Sequence, residues 1–113
     1  MSKPCFNYLN FSNSIRRINN RYKLKESKQI MILEAVLSAY KEEVNLSVSD
    51  LILLKDIASQ ATLHSVTKNL IDLKLIKATV SKNDGRCKHV TPTTLAISWL
   101  SDCTGALSLT TKQ

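Results

Sequence analysis

A change of period near its middle constrains this chain more than any other feature. Between Ser59 and Lys74, Leu63, Val66, Leu70 and Leu73 recur three and four residues apart, the spacing of one helix face. Past Lys74 the pattern becomes an alternation, with Ile76, Ala78 and Val80 set against Lys77, Thr79 and Ser81, as in a half-buried strand. Asn83-Asp84-Gly85-Arg86 follows, and Asp-Gly readily supplies the positive φ of a tight hairpin. Cys87 to Thr91 reads as the returning strand, closed by Pro92. An amphipathic helix that runs straight into a hairpin is compatible with few small folds.

The flanking segments narrow the choice. Ser47 is a good N-cap and Asp50, three residues on, completes an acidic capping box for a helix expected to last to Lys55 or Ile57. A break at Ala58-Ser59 precedes the capped start at Ser59, and two short capped helices so arranged form a helix-turn-helix. Upstream, Ser27 is expected to cap a helix reaching about Glu43, with Ile30, Leu33, Val36, Leu37, Tyr40 and Val44 on its apolar stripe. Downstream, Thr93 or Thr94 caps a last helix bearing Ala96, Trp99, Leu100, Cys103 and Leu107, with fraying expected at Gly105. Phe11, Ile15, Ile18 and Tyr22 share a helical stripe in the N-terminal segment, which is either a short amphipathic helix or an arm. The fold class expected is mainly α with a small β-hairpin (α+β): a winged helix-turn-helix with flanking N- and C-terminal helices. Residues 1–26 form the basic N-terminal segment and residues 27–110 the winged-helix domain.

Composition removes several functional classes. No uninterrupted apolar run is long enough to span a bilayer, and the N-terminus lacks the features of a signal peptide, so a cytoplasmic location is expected. Cys5, Cys87 and Cys103 are odd in number and widely spaced, unlike a disulfide framework or a zinc finger. Cys87 and His89 would supply only two ligands, so no metal is expected. No glycine-rich phosphate loop and no nucleophile–base spacing is present, so neither a cofactor nor enzymatic activity is expected. The net charge of +7 is concentrated: residues 1–29 carry seven lysines and arginines against one glutamate, whereas residues 30–113 are nearly balanced. A basic segment ahead of a neutral body suits a phosphate backbone, and equally a solubilising tail.

The pieces, in this order, resemble the DNA-binding half of the MarR family of winged-helix transcriptional regulators. The resemblance runs from Leu46 to Thr94. It rests on Leu46-Ser47-Val48-Ser49-Asp50-Leu51 before the first helix of the motif, on Ser59 to Leu70 as recognition helix, and on Leu73-Lys74-Leu75-Ile76 leading into the wing. Asp84-Gly85-Arg86-Cys87-Lys88, then Val90-Thr91-Pro92, is similar to the family's wing tip and closing strand. Lys74 stands where the family pattern prefers glycine, and the long dimerisation helices are shortened or absent. The resemblance implies sequence-specific binding of double-stranded DNA by a cytoplasmic homodimer, with Asp84 orienting Arg86 in the wing.

The residues themselves point to the same contacts. With the leucine stripe of the recognition helix buried, Gln60, Thr62, His64, Ser65, Lys68 and Asn69 face outward, and all can donate hydrogen bonds to base edges or phosphates. Gln60 and Asn69 have the bidentate amide that pairs with adenine, and residues near the helix start are favoured for base contact. Arg86, with Lys82 and Lys88 nearby, suits a narrow minor groove or the phosphates. Arg16 and Arg17 would add phosphate contacts from the basic segment. No small-molecule effector is evident. A winged helix serving protein interaction or assembly, or a replication-associated factor of the same fold, is the competing reading.

Overall fold

The structure is a computed structural model and describes residues 4–80 and 88–111. A single 3₁₀ turn, Pro4–Phe6, leads into α1 (Asn7–Arg21), followed by α2 (Ser27–Lys41), β1 (Leu46–Ser47), α3 (Val48–Leu51), α4 (Gln60–Asp72), β2 (Ile76–Val80), β3 (Lys88–Pro92) and α5 (Thr94–Thr111). Among the described residues the three strands form one antiparallel sheet in the order β1-β3-β2. This is the winged helix-turn-helix expected from the sequence, with one strand more than a hairpin. Leu46 pairs with Val90 and Ser47 with His89, so a two-residue strand closes the sheet's second edge. Two residues are too few to show a period, which is why this strand left no mark in the sequence.

Helix boundaries follow from capping chemistry. Ser47 Oγ accepts from Asp50 N at 3.0 Å while Asp50 Oδ2 accepts from Ser47 N, the reciprocal box expected. Ser47 therefore ends β1 and opens α3 in one residue. The helix it starts is shorter than expected: beyond Leu51 the chain tightens into i to i+3 bonds, such as Leu54 N to Leu51 O, and does not reach Lys55 as an α-helix. At α2 the cap is Glu26, one residue ahead of the serine expected, because Gln29 at the third helical position reaches back to the Glu26 backbone N–H at 2.9 Å. Thr93 caps α5: its Oγ accepts from Ala96 N and donates to the carbonyl of Lys74 at 2.6 Å, tying the start of α5 to the end of α4. α5 runs unbroken past Gly105, where fraying was expected.

Three helices end on a non-glycine residue in the left-handed region: Lys23 (φ 62°), Glu43 (φ 58°) and Lys74 (φ 63°). In each case the next amide bonds back five residues, Leu24 to Asn19, Val44 to Ala39 and Leu75 to Leu70, the signature of a Schellman end. Lys74 thus departs from the family's glycine in identity but holds the conformation a glycine would adopt. Leu24 and Leu75, just beyond two of these ends, are fully buried and pin the exits to the core.

That core gathers Ile32, Leu33 and Val36 of α2, Leu51 of α3, Leu63, Val66 and Leu70 of α4, Ile76 and Val90 of the sheet, and Ala96 and Trp99 of α5. The N-terminal segment is a helix packed along α5, with Tyr22 bonded to Asp102 and Ile18 lining the same groove as Ala106. Its specific anchor is buried: Trp99 Nε1 donates to Asn19 Oδ1 at 2.8 Å, and both residues are more than nine-tenths covered. Tyr22 Oη donates to Asp102 Oδ2 at 2.7 Å, and that bond, followed by burial, holds the Tyr22 phenol above its usual range.

Candidate nucleic-acid interface

The outer face of α4 is what the fold presents. Leu63, Val66, Thr67 and Leu70 are buried, so the helix is fixed in rotation and Gln60, His64, Ser65, Lys68 and Asn69 are exposed along the opposite side. Ser59 sets the helix start by accepting from Thr62 N. This cap changes the standing of one expected residue. Thr62 is half-buried, and its Oγ1 accepts from Ser59 Oγ at 3.0 Å, so its hydroxyl serves the helix terminus. Asp72, the single acid of α4, lies at its last position, so the first two turns of the exposed face carry no negative charge.

Asn69 is exposed but not free. Its Oδ1 accepts from Gln29 Nε2 at 2.5 Å, while Gln29 Oε1 accepts from the backbone amides of Lys25 and Glu26 at 2.8 and 2.9 Å. Bidentate pairing with adenine needs both the oxygen and the nitrogen of the amide. The bond occupies one of that oxygen's two lone pairs and fixes the orientation of the Asn69 amide, whereas no such bond holds the Gln60 amide among the described residues. The bond spans 40 residues of sequence, and no local pattern foretells it.

The other expected residues fall into three groups. Lys88 opens β3, is exposed, and pairs in register with Val80. Lys82 and Arg86 lie outside the described residues, as do Asp84 and Gly85. Arg17 lines a groove between α1 and α5, together with Arg21, whose guanidinium sits 3.7 Å from Asp102. That places Arg17 away from the face of α4. Arg16 is exposed one helical turn before Asn20, and Asn20 borders the recognition helix, so Arg16 points along that side of α1. Lys23 and Lys25, within the basic segment expected to contact phosphates, also border α4. Their clustering in the basic segment was the one available signal.

Among the described residues no three His, Cys, Asp or Glu side chains come together as a metal site would require, and no helix is long and apolar enough to cross a membrane. The architecture is that of a winged helix-turn-helix.

No family model matches the sequence, and no curated protein matches it. Solved structures do. The chain is similar to MepR of S. aureus in a DNA complex, with a TM-score of 0.75 and 18% identity over 89% of this chain and 72% of that one. It is similar to MepR bound to ethidium bromide, with a TM-score of 0.64 and 19% identity over 89% and 72% of the two chains. It is also similar to the heme sensor PefR of Streptococcus agalactiae in complex with heme, with a TM-score of 0.61 and 17% identity over 89% of this chain and 64% of PefR. At such identities the likeness establishes the fold.

Proposed function

We propose that this protein is a sequence-specific binder of double-stranded DNA that regulates transcription, with α4 in the major groove and the wing at the minor groove or phosphates. The observation that carries the reading is the exposed face of α4. It is rotationally fixed by its buried leucines, free of acid over its first two turns, and lined by Gln60, His64, Ser65 and Lys68. A fold shared with a structure solved on DNA supports the same reading. Gln60 and Ser65 read base edges; Lys68, His64 and Lys88 reach base edges or phosphates. Asn69 presents an amide whose orientation Gln29 fixes. Lys82 and Arg86 extend the contact at the wing, and Arg16 adds a phosphate contact from α1.

The functional unit is a homodimer. Support comes from the α1–α5 layer, where Phe6 just ahead of α1, Tyr8 and Leu9 on α1 and Leu107 on α5 are about half exposed or more. A two-fold dimer matches a pseudo-palindromic operator whose half-sites are about 10 bp apart or a multiple of it. The protein acts in the cytoplasm and is not an enzyme.

Binding to random duplex DNA as a function of salt tests the reading. A steep linear fall of log K with log salt is expected, since each phosphate contact contributes a slope of about 0.9. Absence of binding at low salt would refute it and favour the alternative of a protein-interaction module. Gln60→Ala should lower affinity for a selected operator and leave random-duplex affinity nearly unchanged.

A further inference from the structure

The α1–α2 connection lies against the recognition helix. Asn20, Lys23, Lys25 and the acidic Glu26 form one wall of a groove of about 590 Å³, and Ser65 and Asn69 of α4 form the other. Two features hold the connection in place. Lys23 sits in the left-handed conformation that ends α1, so its backbone direction is set by the Leu24-to-Asn19 bond and by the burial of Leu24. Beyond it, the side-chain amide of Gln29, itself only 8% exposed, accepts from the amides of Lys25 and Glu26 and donates to Asn69. Gln29 therefore links the backbone of this basic turn to the recognition helix. The two lysine side chains are exposed.

Resting on the reading that α4 enters the major groove, we propose that the Lys23–Lys25 turn is a second DNA-contacting element that grips the phosphates flanking that groove. Gln29 is its positioning residue, holding the turn at a fixed offset from α4 through Asn69. The chemistry recognised is the duplex backbone: two ammonium groups on one side of the helix that reads bases, with no sequence information of their own. Neutral donors on α4 give selectivity but little counterion release, and this turn supplies the missing charge next to them.

The test is the salt dependence of binding to a random duplex by the full chain and by the Lys23→Gln/Lys25→Gln variant. The log–log slope for the dimer should fall by roughly 3.6 in magnitude, two phosphate contacts per protomer at about 0.9 each, and Lys23→Arg/Lys25→Arg should restore it. An unchanged slope in a full chain that does bind DNA overturns this proposal and leaves the functional reading standing. Failure of the unmodified chain to bind any duplex overturns both. The positioning role has its own readout. In a folded Gln29→Met background the same lysine substitutions should cost a smaller fold-loss of affinity than in the unmodified chain, because the turn is no longer held against α4. Equal fold-losses in the two backgrounds overturn the role of Gln29.

Discussion

At the scale of single residues, the Asn19–Trp99 bond decides how the N-terminal helix is held. An indole N–H buried without a partner costs about 1–3 kcal/mol, so Asn19→Ala should destabilise the protein by that order. Trp99 is the chain's one tryptophan, and its emission in denaturant titrations reports the loss directly. Cys103 behaves differently from a reactive thiol. Burial first, then the Asp102 and Glu34 carboxylates, push its pKa up to about 11. It should alkylate far more slowly than the exposed Cys5 at pH 8, which peptide mapping after brief iodoacetamide treatment would show. The sign of the linkage follows: a folded-state pKa above the unfolded one favours the protonated thiol. Its contribution to stability is thus complete below about pH 9 and lost as pH rises towards about 11. Urea midpoints should therefore decline at alkaline pH, and Cys103→Ala should flatten that decline.

At the scale of elements, the sequence spoke wherever a period or a cap repeats locally. The stripe of α4, the Ser47–Asp50 box and the alternation of β2 each need only a few neighbouring residues to be visible. β1 was silent because two residues carry no period, and the cap of α2 fell on Glu26 because Gln29 is the residue able to reach back. The Gln29–Asn69 contact was invisible for another reason: it depends on where two helices meet, and it fixes how the Asn69 amide is oriented. Two substitutions test the helix account. Gly105 sits inside α5, and an added Cβ there meets nothing within 4 Å. Gly105→Ala should stabilise by about 0.8–1 kcal/mol through helix propensity alone, checked by thermal melts. Lys74→Gly should relieve a left-handed residue and raise stability by about 0.5 kcal/mol, with the Thr93 bond to the residue-74 carbonyl retained.

At the scale of the whole molecule, α1 packs along α5, and the chain extends 59 Å along its longest axis. The apolar residues at the far end of that pair, Tyr8 and Leu9 foremost, are where a second copy would bury surface. Sedimentation at micromolar concentration should give a dimer, and Leu9→Glu should shift it towards monomer. A strict monomer for the unmodified protein would remove the palindromic operator. The basic N-terminal quarter, whose role composition alone left open, divides in space: Arg17 and Arg21 face α5, while Lys23 and Lys25 face the recognition helix.

The left-handed helix ends carry one more consequence, and it concerns the unfolded chain. With only two glycines in 113 residues, turns that other sequences make with glycine are made here by Lys23, Glu43 and Lys74. Each strains the native backbone, but each also leaves the denatured ensemble fewer conformations to surrender than a glycine would, a difference of about 0.4–1 kcal/mol per site. The lysines at 23 and 74 also set positive charge at the negative ends of α1 and α4. This is why the gain expected from Lys74→Gly is only a fraction of the left-handed penalty. The same offset lets this chain keep lysines at two of its helix exits at little net loss of stability.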